Sequence, residues 1–487
     1  MDMDLLAAKV SELAGFVWNG LLLYLLVGTG IIFTIRTRFI QVRKFGAGFR
    51  RLFGSVNLNG EKAGKEGMSS FQAVATSIAA QVGTGNITGC ATAMISGGPG
   101  AIFWMWIAGL FGIATKYVET YAAVKYRVRD KSGAMLGGAM FVWKRAFARP
   151  DGSVPWWATL GAVSFAAFAI IATIGTGSAV QAAAISGIVT SSVPAIPAVA
   201  VGVVIVVAVA AVIFGGVNSI ARVCEWLVPI MAGAYALGCL VIMGMNAPVL
   251  GEAVGLILEC AFTPKAAFGG AVGSGLIMAL QFGCARGLFS NESGLGTAPI
   301  VAAAAKTKNP ADQALISMTG AFWSTGVICL LTGLVLVSTM IVHPEIGEDI
   351  LANPSIFTGA ALASAAFAEI PVFGTPVLVL GMCAFAYSTI LGWSYYGNRC
   401  VAYLFGPRGI KPYQVIYVAV AFFGAIGVGD VVWTISDIGN ALMAIPNIIV
   451  ILLLSGMIAR ETKHYVYDGH LDEEYAEPVP RVDKAQL

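Results

Sequence analysis

The sequence predicts an all-α polytopic membrane protein: eleven spanning helices, arranged as two inverted five-helix halves behind one extra N-terminal helix. Three observations carry this. Hydrophobic residues make up 57% of the 487 and charged residues only 11%. Apolar runs of about 20 residues, enough to cross a bilayer, recur along the whole chain. Two of these runs, five spans apart, are broken at their midpoints by glycines and polar residues.

The spans fall at about 16–35, 69–97, 100–124, 156–189, 196–215, 224–245, 268–301, 314–342, 371–398, 412–428 and 431–458. The first, from Phe16 to Ile35, reads as a retained helix. Its flank is acidic (Asp2, Asp4, Glu12), whereas a signal peptide has a basic one. Lys and Arg then set the orientation. The loop 36–67 holds eight of them and the loop after span three holds seven, from Lys125 to Arg149. In all, twenty-five of the 29 lie on one side. The expected protein is a multi-pass protein of the cell (inner) membrane, with its N-terminus outside and its C-terminus cytoplasmic. An odd number of spans requires opposite ends, so the two counts support each other.

The expected division is residues 1–67, N-terminal helix and cytoplasmic loop; 68–246, first five-helix repeat; 247–458, second repeat; and 459–487, a polar, acidic, Pro-containing tail expected to be disordered. The outer loop 343–370 is acidic. Its stretch "FTGAALASAAFAEI" reads either as a short helix lying over the outer face, a candidate lid, or as plain surface loop.

Span two reads "SSFQAVATSIAA", then "QVGTGNITG", then "CATAMISGG", with Ser69 placed as an N-cap. Span seven reads "SGLIMALQFGCA", "RGLFSNESGLGTAP", "IVAAAA". An odd separation makes the second cross in the opposite sense. Paired Gly-interrupted spans in corresponding positions point to a transporter's binding site. Unwinding frees backbone N–H and C=O groups that lipid cannot satisfy, so they must face protein or a watered cavity. Freed N–H groups suit a carboxylate and freed C=O groups suit Na⁺. Both together suit a zwitterionic amino acid with a coupling cation. Single glycines in "TGLVL" or "GAIGVG" read as helix-packing positions instead. Arg286 and Glu292 each cost roughly 2.5–3.5 kcal/mol at a helix centre unless paired or watered. Pairing with each other or with unwound backbone is expected. With Asn291 they are structural or gating candidates.

The stretches "VGTGNITGCATAMISGGPGAIFWMWIAGLFGIATKYVET", "ARGLFSNESGLGTAP", "LGWSYYG" and "DIGNALMAIPN" resemble the alanine or glycine:cation symporter family, within the amino acid–polyamine–organocation superfamily. The resemblance runs from about Ser69 to Ser455. It implies a leucine-transporter-type fold in which spans two to eleven are the ten core helices. It also implies Na⁺-coupled uptake of alanine or glycine, in some members D-alanine or glutamine, or H⁺ coupling. By position it implies that Thr84 and Gly85 meet the substrate carboxylate through backbone N–H groups. Ser388 and Thr389 of "FAYSTILGW" look like hydroxyl ligands of Na⁺, completed by the carbonyls of Ala79, Val82 and Phe385. Trp393 looks like a wall of the pocket, and Gln181 of "GTGSAVQAAAI" like a substrate contact. The family often carries Asn near Ser178 and at Ala183, so this wall is less polar and favours a small apolar amino acid over glutamine.

The residues alone leave alternatives. Gln181 is as well placed for a helix–helix hydrogen bond, Ser388 and Thr389 for their own helix backbone, and Trp393 for ordinary packing. Asn86 is equally a cap of the second half-helix and a substrate contact. Lys116 and Glu119, three apart, read as a structural pair.

Other classes lack support. A net charge of +3, interspersed, does not suggest nucleic acid. The eight Cys form no C-x-x-C, and the three His are scattered, which argues against a His-based metal centre. "GTGNITG" lacks the third glycine and the preceding strand of a dinucleotide fingerprint. "NIT" and "NES" match the glycosylation sequon but lie in spans. No G-x-S-x-G or H-E-x-x-H occurs, so no enzyme is expected. A passive small-solute channel and a transporter relative acting as a sensor are the rivals that flux would decide.

Overall fold

A bilayer offers the backbone no water, so the chain must satisfy its own N–H and C=O groups. It does so with helices. A computed structural model describes residues 15, 18, 22–54, 67–131, 133–263, 275–346, 349, 359–427 and 431–482. The main helices are α1 (Leu23–Arg36), α2 (Phe45–Gly54), α3 (Ser70–Gln81), α4 (Thr88–Gly97), α5 (Gly100–Lys125), α6 (Trp156–Ser192), α7 (Ala198–Ile213), α8 (Val217–Met245) and α9 (Leu250–Phe262). They continue as α10 (Leu276–Asn291), α11 (Ala298–Ala302), α12 (Pro310–Val342), α13 (Gly359–Ala368), α14 (Gly374–Phe405), α15 (Ile410–Ala425) and α16 (Val431–Thr462). Among the described residues six runs are long and apolar enough to cross a membrane: α5, α6, α8, α12, α14 and the run Ser436–Tyr467 within and beyond α16. α1, α7 and α13 are apolar but shorter.

The two expected breaks are present. α3 starts at a capping box: Gln72 N donates to Ser69 Oγ at 3.1 Å, and Ser69 N to Gln72 Oε1 at 3.3 Å. It ends at Gln81, a single 3₁₀ turn spans Thr84–Asn86, and α4 resumes at Thr88. α10 ends at Glu292, which takes the left-handed conformation (φ 54°), and Gly294 and Gly296 follow with φ of 90° and 77°. The two elements run oppositely. Met68, before α3, lies beside the end of α11: its N–H donates to Ala304 O (3.1 Å), and Lys306 N donates to Met68 O (3.0 Å). At mid-length Asn86 meets Ser290. This is the leucine-transporter-type arrangement of crossed broken helices.

Two helices carry π-turns where the sequence reading has plain spans. They are Thr173–Ala179 in α6 and Phe322–Cys329 in α12. Such turns leave backbone groups to be met by neighbours and recur at functional sites. α9 was not expected either. At 13 residues, with Glu252 and Glu259, it is too short and too charged to read as a span. It buries Ala253, Ile257, Cys260 and Ala261. The stretch expected as a lid or a loop forms α13, whose Phe367 stacks on Tyr235 of α8 (5.5 Å, 24°).

The tail corrects an expectation. Rather than disordered, it is ordered through Val482 and lies across the face where α3 begins. Tyr475 N donates to Lys308 O (2.9 Å), and Asn309 Nδ2 to the carbonyls of Leu471 (2.8 Å) and Glu473 (2.9 Å). Arg51 pairs with Asp472 at 2.9 Å and with Asp312 at 2.7 Å, and Lys125 with Glu461 at 2.6 Å. The tail bridges one strand of a hairpin of β1 (Val128–Arg129) and β2 (Met135–Leu136) at a single parallel step: Arg129 N donates to Pro480 O, and Val482 N to Arg129 O, each at 2.9 Å. Polar composition favours disorder, but here the tail's side chains and backbone meet partners on α2, on α5, at Lys308 and Asn309, and on the hairpin.

Candidate functional site

The break in α3/α4 places its glycines against α14. A methyl added at Gly83 would fall 2.5 Å from Thr389 Oγ1, so only glycine fits there. Thr389 Oγ1 donates to Ala79 O at 3.1 Å. Ser388 Oγ is also bonded to Ala79 O, at 3.2 Å, and to Phe385 O at 2.9 Å. Four of the five expected cation ligands are thus gathered from two helices. The fifth, Val82, stands where α3 unwinds (φ −90°, ψ 82°). This set of neutral carbonyl and hydroxyl oxygens suits a hard cation.

Beside this cluster lies a small cavity lined by Gly83, Gly85, Thr176, Gln181, Phe289, Ser290, Glu292, Thr389 and Trp393, with Ala80 and Gln81. Its open space is about 20 Å³ for the centre of a water molecule, on the order of a single water. Thr84 Oγ1 donates to Gln181 Oε1 at 3.1 Å, and Gln181 Nε2 to Thr176 O at 3.2 Å. Gln181 is therefore both a helix–helix link and a pocket wall, joining the two readings the sequence left open. Among the described residues no hydrogen bond takes the backbone N–H of Thr84 or of Gly85. Both are orphan donors at a helix start. Trp393 closes one side; a methyl at Gly177 would fall 2.4 Å from its Cβ.

Asn86 does not serve this pocket. Fully buried, it accepts from Gly83 N (3.1 Å) and donates to Ser290 Oγ (2.8 Å), Ser324 Oγ (2.8 Å) and Ser324 O (3.1 Å). Its amide is engaged within the break: it reaches back to Gly83 N at the start of the 3₁₀ turn rather than capping α4, whose first turn has no side-chain cap, and it is not among the pocket walls. Asn291 plays the corresponding part at the other break: it accepts from Ser293 N (2.9 Å) and donates to Thr325 Oγ1 (3.2 Å). Both breaks are therefore fastened to adjacent residues of one π-turn, Ser324 and Thr325 in α12.

Arg286 and Glu292 do not pair with each other. Glu292 Oε2 accepts from Thr297 Oγ1 (2.8 Å) and Tyr396 OH (3.3 Å), whereas Arg286 faces Asp437. Lys116 and Glu119 are not a simple pair either. Glu119 Oε1 accepts from Gly296 N (3.0 Å) and Asn447 Nδ2 (2.6 Å). The buried Lys116 ammonium faces Glu119 and Glu292 but hydrogen-bonds no described residue. Sequence reasoning missed Thr176, Phe289 and Ser290 as pocket walls. The clustered small and polar residues of "TIGTGS" and "LFSNES" are the signals that mark them.

Crossed broken helices around a midplane pocket, with an oxygen cluster at its edge, define a membrane transporter rather than an enzyme. Comparison with known proteins agrees. The model of the sodium:alanine symporter family matches residues 3–477. Over 457 residues the chain is 42% identical to the sodium/alanine symporter AgcS of Methanococcus maripaludis, covering 94% of this chain and 96% of that one. It is 43% identical over 459 residues to an uncharacterized transporter of Haemophilus influenzae, covering 94% and 95%. The crystal structure of MhsT in complex with L-phenylalanine superposes with a TM-score of 0.56 at 14% identity, over 84% of this chain and 95% of that one; this likeness concerns the fold. The chain belongs to the sodium:alanine symporter family.

Proposed function

We propose that this protein couples inward movement of Na⁺ to uptake of a small neutral amino acid, alanine or glycine and also D-alanine, by alternating access. The observation that carries the reading is the position of Thr389. Its hydroxyl belongs to the oxygen cluster through Ala79 O, and the same side chain lines the pocket against Gly83. Na⁺ and amino acid would thus share a wall, and filling one site would order the other.

In this reading the free N–H groups of Thr84 and Gly85 receive the substrate carboxylate. Trp393 and Phe289 bound the side-chain space, which excludes a side chain as long as glutamine's. Ala79, Val82, Phe385, Ser388 and Thr389 hold Na⁺. Residues 68–246 and 247–458 form the two inverted halves. The helices tied through Ser324 and Thr325 move as one body against the rest. The positive-inside pattern puts the tail in the cytoplasm and the N-terminus outside. The AgcS relative, named a sodium/alanine symporter, supports the choice of ion and substrate.

The test is uptake of labelled L-alanine into proteoliposomes, with and without an inward Na⁺ gradient at equal pH. Concentrative uptake only with the gradient is expected. Equal accumulation with a proton gradient alone would replace Na⁺ by H⁺. Equilibration without accumulation under any gradient would point to a channel.

A further inference from the structure

Two of the three histidines, which the sequence gives no reason to connect, are brought together by the docked tail. His464 lies in the turn Lys463–Tyr467 that extends α16, and His470 follows the bend at Gly469. Their rings stack at 4.3 Å and 14°. Glu473 Oε1 lies 2.7 Å from His470 Nδ1. One ligand atom from each of His464, His470 and Glu473 falls within 4.8 Å of the others, on a surface open to solvent.

We propose that His464, His470 and Glu473 form a site for a divalent transition-metal ion that fastens the tail across the face where the broken helix α3 begins. Two imidazoles and one carboxylate form the donor set of borderline ions such as Zn²⁺, Co²⁺ and Ni²⁺. Three protein ligands leave a fourth position for water. Zinc–ligand distances of about 2.0–2.2 Å in a tetrahedron set the donors roughly 3.4 Å apart, so the more distant donors must draw in and the 2.7 Å contact between His470 Nδ1 and Glu473 Oε1 must open. All three are exposed or half-exposed, so their side chains can turn without disturbing a core.

The backbone supports the site on both sides. His464 sits on the end of a long helix. His470 and Glu473 sit on the strap, where the carbonyls of Leu471 and Glu473 are held by Asn309, Asp472 by Arg51 and Tyr475 by Lys308 and Lys125. Just before Lys308, Lys306 bonds Met68 and accepts from Ser70 Oγ, at the start of α3. An ion joining 464 to 470 and 473 closes the tail's own loop. It thereby stabilises the strap against lifting away from this face.

The experiment uses the purified full chain with an affinity tag that contains no histidine. Co²⁺ is titrated while the visible bands of tetrahedral cobalt are followed. The unaltered chain is expected to saturate with one Co²⁺. His464→Ala and His470→Ala are expected to need about tenfold or more Co²⁺ for half-saturation, with unchanged thermal midpoints in the absence of metal. Hydrogen exchange of residues 468–478 is then compared with and without Zn²⁺. Slowing in the unaltered chain but not in His464→Ala is expected. The proposal is overturned if no saturable bands appear, if the variants titrate like the unaltered chain, or if Zn²⁺ leaves exchange of the strap unchanged. None of these readouts depends on transport.

Discussion

Ser388→Ala separates the cation site from the substrate pocket. Ser388 is fully buried. Its hydroxyl meets Ala79 O at 3.2 Å and Phe385 O at 2.9 Å, and it lines no part of the pocket. The substitution removes one oxygen and leaves the backbone carbonyls in place. Losing one polar partner in a buried site costs about 1–3 kcal/mol. At about 1.4 kcal/mol per factor of ten, the Na⁺ concentration for half-maximal uptake should rise roughly 5- to 150-fold. Substrate half-saturation at saturating Na⁺ should stay within about twofold, since no pocket wall has moved. The assay is initial-rate L-alanine uptake into proteoliposomes across a Na⁺ series. An unchanged Na⁺ dependence with a lowered thermal midpoint would refute the reasoning. It would leave Ser388 as a structural hydroxyl that ties α14 to Ala79 O of α3.

The other substitutions probe the break and the strap. Gly83→Ala puts a methyl 2.5 Å from Thr389 Oγ1, so Na⁺-dependent uptake should be lost. Adding Thr389→Ala should restore the thermal midpoint but not the Na⁺ affinity. Thr84→Val removes the hydroxyl bond to Gln181 but keeps the backbone N–H, so alanine half-saturation should rise by only about tenfold or less; complete loss of binding would contradict the carboxylate role. Asn86→Ala leaves the buried Gly83 N without its acceptor and removes the donor to Ser324 O and to the hydroxyls of Ser290 and Ser324. It should destabilise the protein by about 3 kcal/mol or more, read from denaturation in detergent, whereas Asn86→Asp should be intermediate. In the strap, the hydrogen bond from Arg51 holds the Asp472 carboxyl below the usual carboxylate range. A lowered pKa gives stability that is full above about pH 4 and is lost as pH falls through the lowered value. Protection of residues 468–478, taken relative to the intrinsic exchange rate at each pH, should therefore fall on acidification below about pH 4, and Asp472→Asn should already lack that part of the protection at neutral pH.

Much of the architecture is legible in the chain because lipid leaves so few solutions. Long apolar runs must be helices. Glycines with Asn, Glu and Arg inside such runs must mark unwound backbone that something satisfies. For that reason the positions of both breaks, Ser69 as the cap of α3, and the association of Ser388 and Thr389 with Ala79 follow from sequence and family resemblance together. Which polar group satisfies which is a different matter. Asn86 and Asn291 carry amides that equally fit a ligand or a cap. Only the approach of the π-turn in α12 assigns them, through Ser324 and Thr325. Glu292 and Arg286 are of opposite charge but six residues apart, on different faces of a helix, and they meet different partners.

At the ends of the chain the balance shifts further. Sequence by itself determined the membrane-embedded class and the paired breaks, because these depend on local composition and on the cost of unsatisfied backbone. Tertiary structure alone decided that the tail is an ordered strap, that His464 and His470 lie together, and that Lys116 faces two carboxylates. The strap's contacts with Arg51, Arg129 and Lys308, and the approach of Lys116 to Glu292, cross more than a hundred residues, and His464 meets His470 only because the docked tail turns back between them; no local pattern encodes either.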